Sequence, residues 1–258
     1  MLLGLIRTLC LTVAIAAGFT MQSASAQDLD GCEQHVKYGA PSQAPVLLCR
    51  LGYALSFDTG HRVPDWVAYH LTRQKMSGTH PRSNDFRPDP DLDTGQRSEL
   101  SDYAGSGFDR GHMAPAASMK WDARAMSESF LLSNMAPQVG AGFNNGIWRT
   151  LESRVRTWTR DRGELYIVSG PIFATDPPPL VPSGNVSIPS HFYKVIFDPV
   201  RVEAIAFILA NQRTPSSQLP TFIVNVDEVE QRTGLDFLSE LQNGVESLVE
   251  AQVAPAMW

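Results

Sequence analysis

Residues 107–117 read Gly-Phe-Asp-Arg-Gly-His-Met-Ala-Pro-Ala-Ala, which places an acid, a guanidinium and an imidazole within four positions. Burying such groups costs free energy unless they are paired, so the stretch is a poor candidate for plain core. Pro115 prevents its continuation as a helix. We interpret the stretch as the end of a short strand that presents His112 into a cleft. A buried Asp109–Arg110 pair beside a satisfied histidine is the alternative.

Alternating apolar residues around this stretch predict the sheet. Residues 53–57 and 64–71 alternate on either side of a turn and predict a hairpin. Residues 165–171 predict a compact strand, and 188–197 with 202–209 predict a second hairpin. Strands and helices do not alternate strictly, which favours an α+β fold with a mixed or antiparallel central sheet flanked by helices.

Helical spacing is clearest at Trp148, Leu151, Val155 and Trp158, which predict the buried stripe of one helix. We expect this helix to begin near Asn144. Asn144 and Glu152 would then lie along one edge of it. Residues 226–241 predict one or two further helices, the second of them beginning after Gly234.

Residues 1–26 contain one positive charge, a short apolar run and a small-x-small ending, which together predict a signal peptide cleaved after Ala26. The alternative is a membrane anchor, but the apolar run is shorter than the ~20 residues that a bilayer requires. The predicted location is therefore periplasmic or secreted, with no membrane partner. The predicted ranges are an N-terminal arm at 27–50, one domain at 51–242 and a C-terminal tail at 243–258.

Cys32 and Cys49 are the two cysteines that remain after residue 26. An even pair in an exported chain predicts a disulfide. Two free thiols or a metal pair are the alternatives. We expect the bridge to fix the arm and to take no part in chemistry.

The formal charge of −6 argues against a generally basic nucleic-acid binder. The charge is unevenly distributed, however. Residues 107–160 carry seven bases and four acids, a net charge of +3, whereas residues 218–258 carry seven acids and one base. We interpret the acidic end as a solvated helix face.

The polar residues that could carry chemistry are Arg82, Asp109, Arg110, His112, Asn134, Asn144 and Glu152. There is no G-x-S-x-G setting for a serine nucleophile and no histidine or cysteine cluster typical of zinc. Amide and carboxylate oxygens suit a hard cation such as Mg²⁺, with Mn²⁺ as an alternative. Together with a histidine base and arginines, such a cation is typical of phosphodiester hydrolysis.

Three ordered strings make this interpretation specific: DRGHMAPAA at 109–117, FLLSNMAPQ at 130–138 and GFNNGIWRTLE at 142–152. In this order they resemble the DNA/RNA non-specific endonuclease family. The upstream stretch 82–86, with Arg82 and Phe86, and the strand at 165–171 are similar to that family as well. The resemblance covers most of the chain after residue 50.

The resemblance implies a ββα-metal (His-Me finger) active site on an α+β core. In it His112 is the general base and Asn144 is the direct protein ligand of Mg²⁺. Glu152 holds waters of the ion's hydration shell, and Asn134 supports the site by hydrogen bonding. Arg82 stabilises the phosphate, Arg110 orients the site and Arg156 faces the substrate. Asp109 is expected to pair with an arginine.

The predicted function is therefore hydrolysis of DNA and RNA through contacts with the phosphate backbone. Two alternatives are a catalytically inactive nucleic-acid-binding protein of the same fold and a phosphodiesterase acting on smaller substrates. The sequence leaves open whether the chain forms a homodimer and whether it prefers DNA or RNA.

Overall fold

The computed structural model describes residues 29–43, 46–182 and 184–258. Within these ranges there are nine strands and five α-helices. The strands are β1 (Leu47–Cys49), β2 (Ala54–Asp58), β3 (Val63–Thr72), β4 (Phe108–His112), β5 (Met135–Val139), β6 (Glu164–Ile172), β7 (His191–Asp198), β8 (Glu203–Ala210) and β9 (Ile223–Val224). The helices are α1 (Leu100–Tyr103), α2 (Ala123–Glu128), α3 (Arg149–Arg162), α4 (Val226–Thr233) and α5 (Asn243–Ala251).

Seven of these strands form one sheet in the order β1-β2-β3-β6-β7-β8-β9, and β4 pairs with β5 in a separate two-stranded sheet. Each of these strand pairs is antiparallel. Both hairpins that alternation predicted are present, as β2–β3 and β7–β8. The predicted α+β class is confirmed, and the central sheet is of the antiparallel kind.

The large sheet is covered on both faces, because alternate residues of each central strand enter different cores. In β3, Val67, Tyr69 and Leu71 belong to the first core, which lies beneath α3 and the β4–β5 pair. Trp66 and Ala68 belong to the second core, on the opposite face, which includes residues of α4 and α5. The two faces therefore carry different helices, and the β4–β5 pair lies on the α3 side.

Helix α3 buries the predicted stripe, since Trp148, Leu151, Val155 and Trp158 all lie in the first core. Its predicted beginning near Asn144 is wrong. The helix begins at Arg149, five residues later, after an irregular segment, Gly140–Trp148. Asn145 (φ −86°, ψ 22°) and Gly146 (φ −135°, ψ −112°) have non-helical backbone angles. Asn144 is thereby turned independently of the helix that carries Glu152.

The N-terminal residues and the segment that follows Gly234 pack on the second core. A disulfide joins Cys32 to Cys49 and holds residues 29–43 beside β1. The predicted helix directly after Gly234 is wrong, because this segment pairs with the N-terminal residues instead. The amide of Asp236 donates to Pro41 O at 3.0 Å, and that of Glu240 donates to Tyr38 O at 3.2 Å. The next helix, α5, lies in the range predicted as a tail.

No helix among the described residues has both the length and the apolar composition needed to cross a bilayer. The predicted signal peptide at residues 1–26 lies outside the described residues.

Candidate active site

The β4–β5 pair and α3 form a ββα unit. This unit positions the polar side chains of the candidate site, on the face of the large sheet that carries the first core. Gly111 of β4 lies opposite Ala136 of β5. A Cβ atom on Gly111 would lie 2.1 Å from the side chain of Gln138, so this register admits only glycine there. The close pairing fixes the end of β4, where His112 lies opposite Met135.

His112 is held by aromatic rings, and its Nε2 atom is buried without a hydrogen-bond partner among the described residues. Its ring meets the edges of Phe130, with centroids 5.1 Å apart, and of Phe86, at 5.8 Å. Burial, followed by the positive charges of Arg82 and Arg110, lowers the pKa of His112 to about 3. The imidazole is therefore neutral near pH 7, with a nitrogen free to accept a proton.

Asn134 is completely buried behind this histidine. Its Oδ1 accepts from the Ala114 amide at 2.9 Å, and its Nδ2 donates to Ala114 O and Ser129 O, both at 2.9 Å. These bonds hold the backbone that follows His112 in place. Asn134 thus contacts the strand end and not the cleft.

Asn144 is oriented by Asp109. The Nδ2 atoms of Asn144 and Asn145 both donate to Asp109 Oδ2, at 2.8 and 3.0 Å. An amide that gives its nitrogen to one partner turns its oxygen to the other side. Asp109 was expected to pair with an arginine; its carboxylate instead accepts from these two amides.

Glu152 and Arg156 lie one turn apart on α3. Burial raises the pKa of Glu152, and the charges of Lys194 and Arg156 oppose that shift. Lys194 is fully buried in β7, where its Nζ donates to Tyr69 Oη at 3.3 Å and to Ser169 Oγ. The Nη1 atom of Arg156 is buried without a hydrogen-bond partner in the described structure, and burial lowers the pKa of Arg156.

Two further arginines lie over aromatic rings. The Cζ atom of Arg110 is 4.1 Å from the centroid of Phe86, and that of Arg82 is 4.7 Å from the centroid of Phe130. Stacking of this kind fixes a guanidinium without neutralising it. Phe86 and Phe130 therefore hold both arginines and His112 in one arrangement.

These side chains line one cleft of about 760 Å³. Seven of the residues singled out from sequence line it: Arg82, Asp109, Arg110, His112, Asn144, Glu152 and Arg156. Asn134 does not. Sequence reasoning missed Arg149 and Asn145, which also line the cleft. The signal for Arg149 was available, because Arg149, Glu152 and Arg156 are three and four residues apart and share one helix face.

The donor set fits a hard divalent cation. Asn144 offers an amide oxygen, directed away from Asp109, and Glu152 offers a carboxylate in the same cleft. Oxygen ligands of these two kinds, together with water, are those that Mg²⁺ accepts. No cysteine lines this cleft, and His112 is the one histidine that does. A zinc site built from nitrogen and sulfur ligands therefore does not fit here.

Known proteins resemble this chain in sequence and in structure. Nuclease C1 of Cunninghamella echinulata var. echinulata is 39% identical over 224 residues, covering 81% of this chain and 89% of its own. Human mitochondrial endonuclease G is 32% identical over 219 residues, covering 80% and 73%. A chain in the crystal structure of an EndoG/EndoGI complex is 35% identical with a TM-score of 0.74, and the match covers 81% of this chain and 92% of that one.

The predicted periplasmic or secreted location is wrong by these comparisons, because relatives from fission yeast, human and baker's yeast are named as mitochondrial nucleases. The prediction depended on residues 1–26 alone. Residues 1–26 contain no acidic residue, and mitochondrial transit peptides are also poor in acids, so this feature alone does not identify an export signal.

The family model for DNA/RNA non-specific endonucleases matches residues 32–244, a range that includes β4, β5, α3 and every residue of the cleft. With the relatives above, this match shows that the chain is a hydrolase that belongs to the DNA/RNA non-specific endonuclease family.

Proposed function

We propose that this nuclease hydrolyses phosphodiester bonds of DNA and RNA with His112 as general base and with Mg²⁺ held at Asn144. The observation that carries the proposal is the convergence of three groups in one cleft. They are the neutral imidazole of His112, the oriented amide of Asn144 and the carboxylate of Glu152.

His112 would take a proton from the attacking water. A general base must be unprotonated at the working pH, and the lowered pKa of His112 supports that state. Water would attack phosphorus and pass its proton to the His112 imidazole, the bond from phosphorus to the 3′ oxygen would break, and the leaving 3′ oxygen would take a proton from a second water. The products carry a 5′-phosphate and a 3′-hydroxyl.

Asn144 and Glu152 would hold the cation. Bound Mg²⁺ would stabilise the charge that develops on the phosphate and leaving oxygens. The Asp109 carboxylate contributes indirectly, because it fixes both neighbouring amides through Nδ2. Asn134 would contribute only by positioning the backbone after His112.

The arginines would bind the phosphate itself. Arg82 and Arg110 are held over aromatic rings, and Arg156 has a buried nitrogen without a partner in the described residues. An anion that enters the cleft supplies the missing acceptor and gains charge-assisted hydrogen bonds. Such contacts read backbone and not bases, so we expect cleavage without sequence preference. Because binding would release counterions from the nucleic acid, affinity should fall steeply with salt concentration.

The test is cleavage of plasmid DNA and of a structured RNA by the purified chain in Mg²⁺, Mn²⁺, Ca²⁺ or EDTA. We expect both polymers to be cut in Mg²⁺ and neither in EDTA. Binding without cleavage under every condition would identify an inactive nucleic-acid-binding protein instead. Cleavage of bis(p-nitrophenyl)phosphate with both polymers left intact would identify a phosphodiesterase for small substrates.

A second measurement tests the assignment of the ion. Asn144→Ala should raise the Mg²⁺ concentration needed for half-maximal cleavage, whereas Asn145→Ala serves as the neighbouring amide control. Equal Mg²⁺ dependence of the wild type and Asn144→Ala would exclude Asn144 as the ligand.

A further inference from the structure

Three carboxylates meet between α4 and α5, on the face of the large sheet opposite the cleft. Asp227 and Glu230 come from α4, and Glu250 comes from α5. One oxygen of each lies within 4.8 Å of the others. Two oxygens on opposite sides of a Ca²⁺ ion are roughly 4.6–5.2 Å apart, since each Ca–O distance is about 2.3–2.6 Å. A separation of at most 4.8 Å is therefore compatible with three ligands of one ion.

Glu250 distinguishes this cluster from a set of solvated acids. Its residue is only 6% exposed, and its Oε1 atom is buried without a hydrogen-bond partner among the described residues. A buried carboxylate oxygen without a donor is costly, because it has lost water and gained nothing. The atom therefore requires a proton or a cation from outside the described residues.

The surroundings of Glu250 are negative. Burial raises its pKa to about 8, and the next contributions come from four further carboxylates, Glu230, Glu246, Asp227 and Asp236. Glu230 Oε1 already accepts from the Phe237 amide at 2.7 Å, which leaves its second oxygen to face the cluster. Like charges at this spacing repel, so a divalent cation would remove a penalty as well as fill a site.

We propose that Asp227, Glu230 and Glu250 bind one hard divalent cation, Ca²⁺ in preference to Mg²⁺, in a structural site separate from the catalytic cleft. The preference follows from ligand number, since Mg²⁺ is usually held by one or two carboxylates and retains several waters. Ca²⁺ accepts three carboxylates and completes its shell with water.

The site would fasten α5 to α4 and, through α5, the end of the chain to α3. The Nδ2 atom of Asn225, at the start of α4, donates to Ala251 O at the end of α5, 3.2 Å away. Beyond α5, the ring of Trp258 lies 5.6 Å from that of Trp158 and 3.8 Å from the Arg162 guanidinium. Cation binding is therefore expected to stabilise the docked C-terminal segment.

The experiment is calorimetric titration of metal-free protein with CaCl₂, paired with thermal unfolding. It uses an Asn144→Ala background, which weakens cation binding in the cleft, and the signal assigned to this site is the part that the Glu250→Gln variant loses. We expect one bound Ca²⁺ and a rise in Tm of roughly 5–10 °C at a Ca²⁺ concentration a hundredfold above Kd. Glu250→Gln and Asp227→Asn should each abolish both effects.

The matched control is Glu228→Gln, which removes an exposed acid of the same helix outside the cluster. It should retain the binding and the Tm rise. Absence of Ca²⁺ binding in the Asn144→Ala protein would overturn the proposal. So would a Tm rise that persists in Asp227→Asn, an exposed position whose change need not disturb folding.

Discussion

Two regions of this nuclease contain buried or half-buried arginines, and they differ in whether a carboxylate pairs with the guanidinium. Arg50 donates from Nη2 to both oxygens of the fully buried Asp89, at 2.6 and 2.7 Å, and from Nη1 to Asp91 at 2.8 Å. In the cleft, Arg156 forms no ion pair with a carboxylate among the described residues. Each of the two arginines also has one buried nitrogen without a hydrogen-bond partner there, so the difference between them lies in the carboxylates. Arg50 is neutralised within the fold, and Arg156 is the arginine that we propose binds a ligand.

The pKa shifts of the two residues reflect this difference. Burial acts to lower the pKa of Arg50, but Asp89 outweighs it and the pKa of Arg50 is raised. Burial also acts on Arg156, where Glu152 does not compensate and the pKa of Arg156 is lowered. Paired charge thus marks a structural region, and unpaired charge marks the region that we propose binds a phosphate. Four measurements can sharpen or break this contrast.

The largest effect is expected for His112→Ala, which removes the proposed proton acceptor of the cleft. The turnover number should fall by about 10²–10⁴-fold, the usual contribution of a general base, with little change in stability. Plasmid cleavage rates measure it, with the exposed His80→Ala as the control. A variant that cuts at the wild-type rate would exclude His112 as the base.

Arg50→Met should instead destabilise the fold, because it leaves Asp89 buried without its counter-charge. Removing one partner of a buried pair costs about 3–5 kcal/mol. Urea unfolding gives the loss, and cleavage well below the melting temperature should be nearly unchanged. Arg124→Met is the matched control, since Arg124 is 73% exposed and its partner Glu128, 12% exposed, still accepts from the Leu51 amide without it. Loss of an exposed arginine of this kind is expected to cost about 1 kcal/mol or less. Equal losses in the two variants would contradict the contrast.

Arg156→Met should show the reverse pattern. We expect kcat/KM for DNA to fall by about 10²-fold, near the lower end of the effect of removing one preorganised donor. The free energy of unfolding should stay the same or rise, because the variant removes a buried charge that lacks a full set of partners. Arg154→Met, at an exposed position of the same helix, is the control. Marked destabilisation by Arg156→Met would place this arginine in the structural class.

The smallest effect concerns pH and stability. The folded-state pKa of His112 is lowered, so the unfolded chain takes up this proton first as the pH falls. The stability that the lowered pKa of His112 contributes to the folded state is fully present above pH 6.5, the ordinary pKa of histidine, and is lost as the pH falls toward about 3. Urea midpoints between pH 7 and pH 4 should fall less in His112→Gln than in the wild type. If the urea midpoints of the two proteins changed in parallel with pH, the pKa of His112 would not be lowered in the folded protein.

Much of the fold could be predicted because its local patterns agree with its tertiary contacts. Both hairpins and the α3 stripe were visible, since each strand and helix buries one regular set of side chains. The start of α3 was missed because its sequence period continues through Asn144 while the backbone at Asn145 and Gly146 leaves the helical region. The helix expected after Gly234 failed because the amides of Asp236 and Glu240 pair with Pro41 and Tyr38, some 200 residues away in sequence.

Residue chemistry identified most of the cleft, since an imidazole, an amide and a guanidinium keep their capabilities wherever they lie. The hydrogen-bond and packing partners of these groups could not be predicted from the sequence. That Asp109 accepts from Asn144 and Asn145 follows from the irregular segment between β5 and α3. The placement of Lys194 beneath Trp148, 4.6 Å from its ring, depends on β7 crossing under α3.

The sequence by itself determined the element types, the family and the residues capable of the chemistry, because these depend on side-chain identity and short-range spacing. Only the tertiary structure decided which charges are paired. Asp89 pairs with Arg50, whereas Arg156 has a buried nitrogen without a hydrogen-bond partner among the described residues. Glu250 lies close to Asp227 and Glu230. Electrostatic pairing depends on distances of a few ångströms between groups far apart along the chain, and those distances are set by the packing of the sheet and its helices.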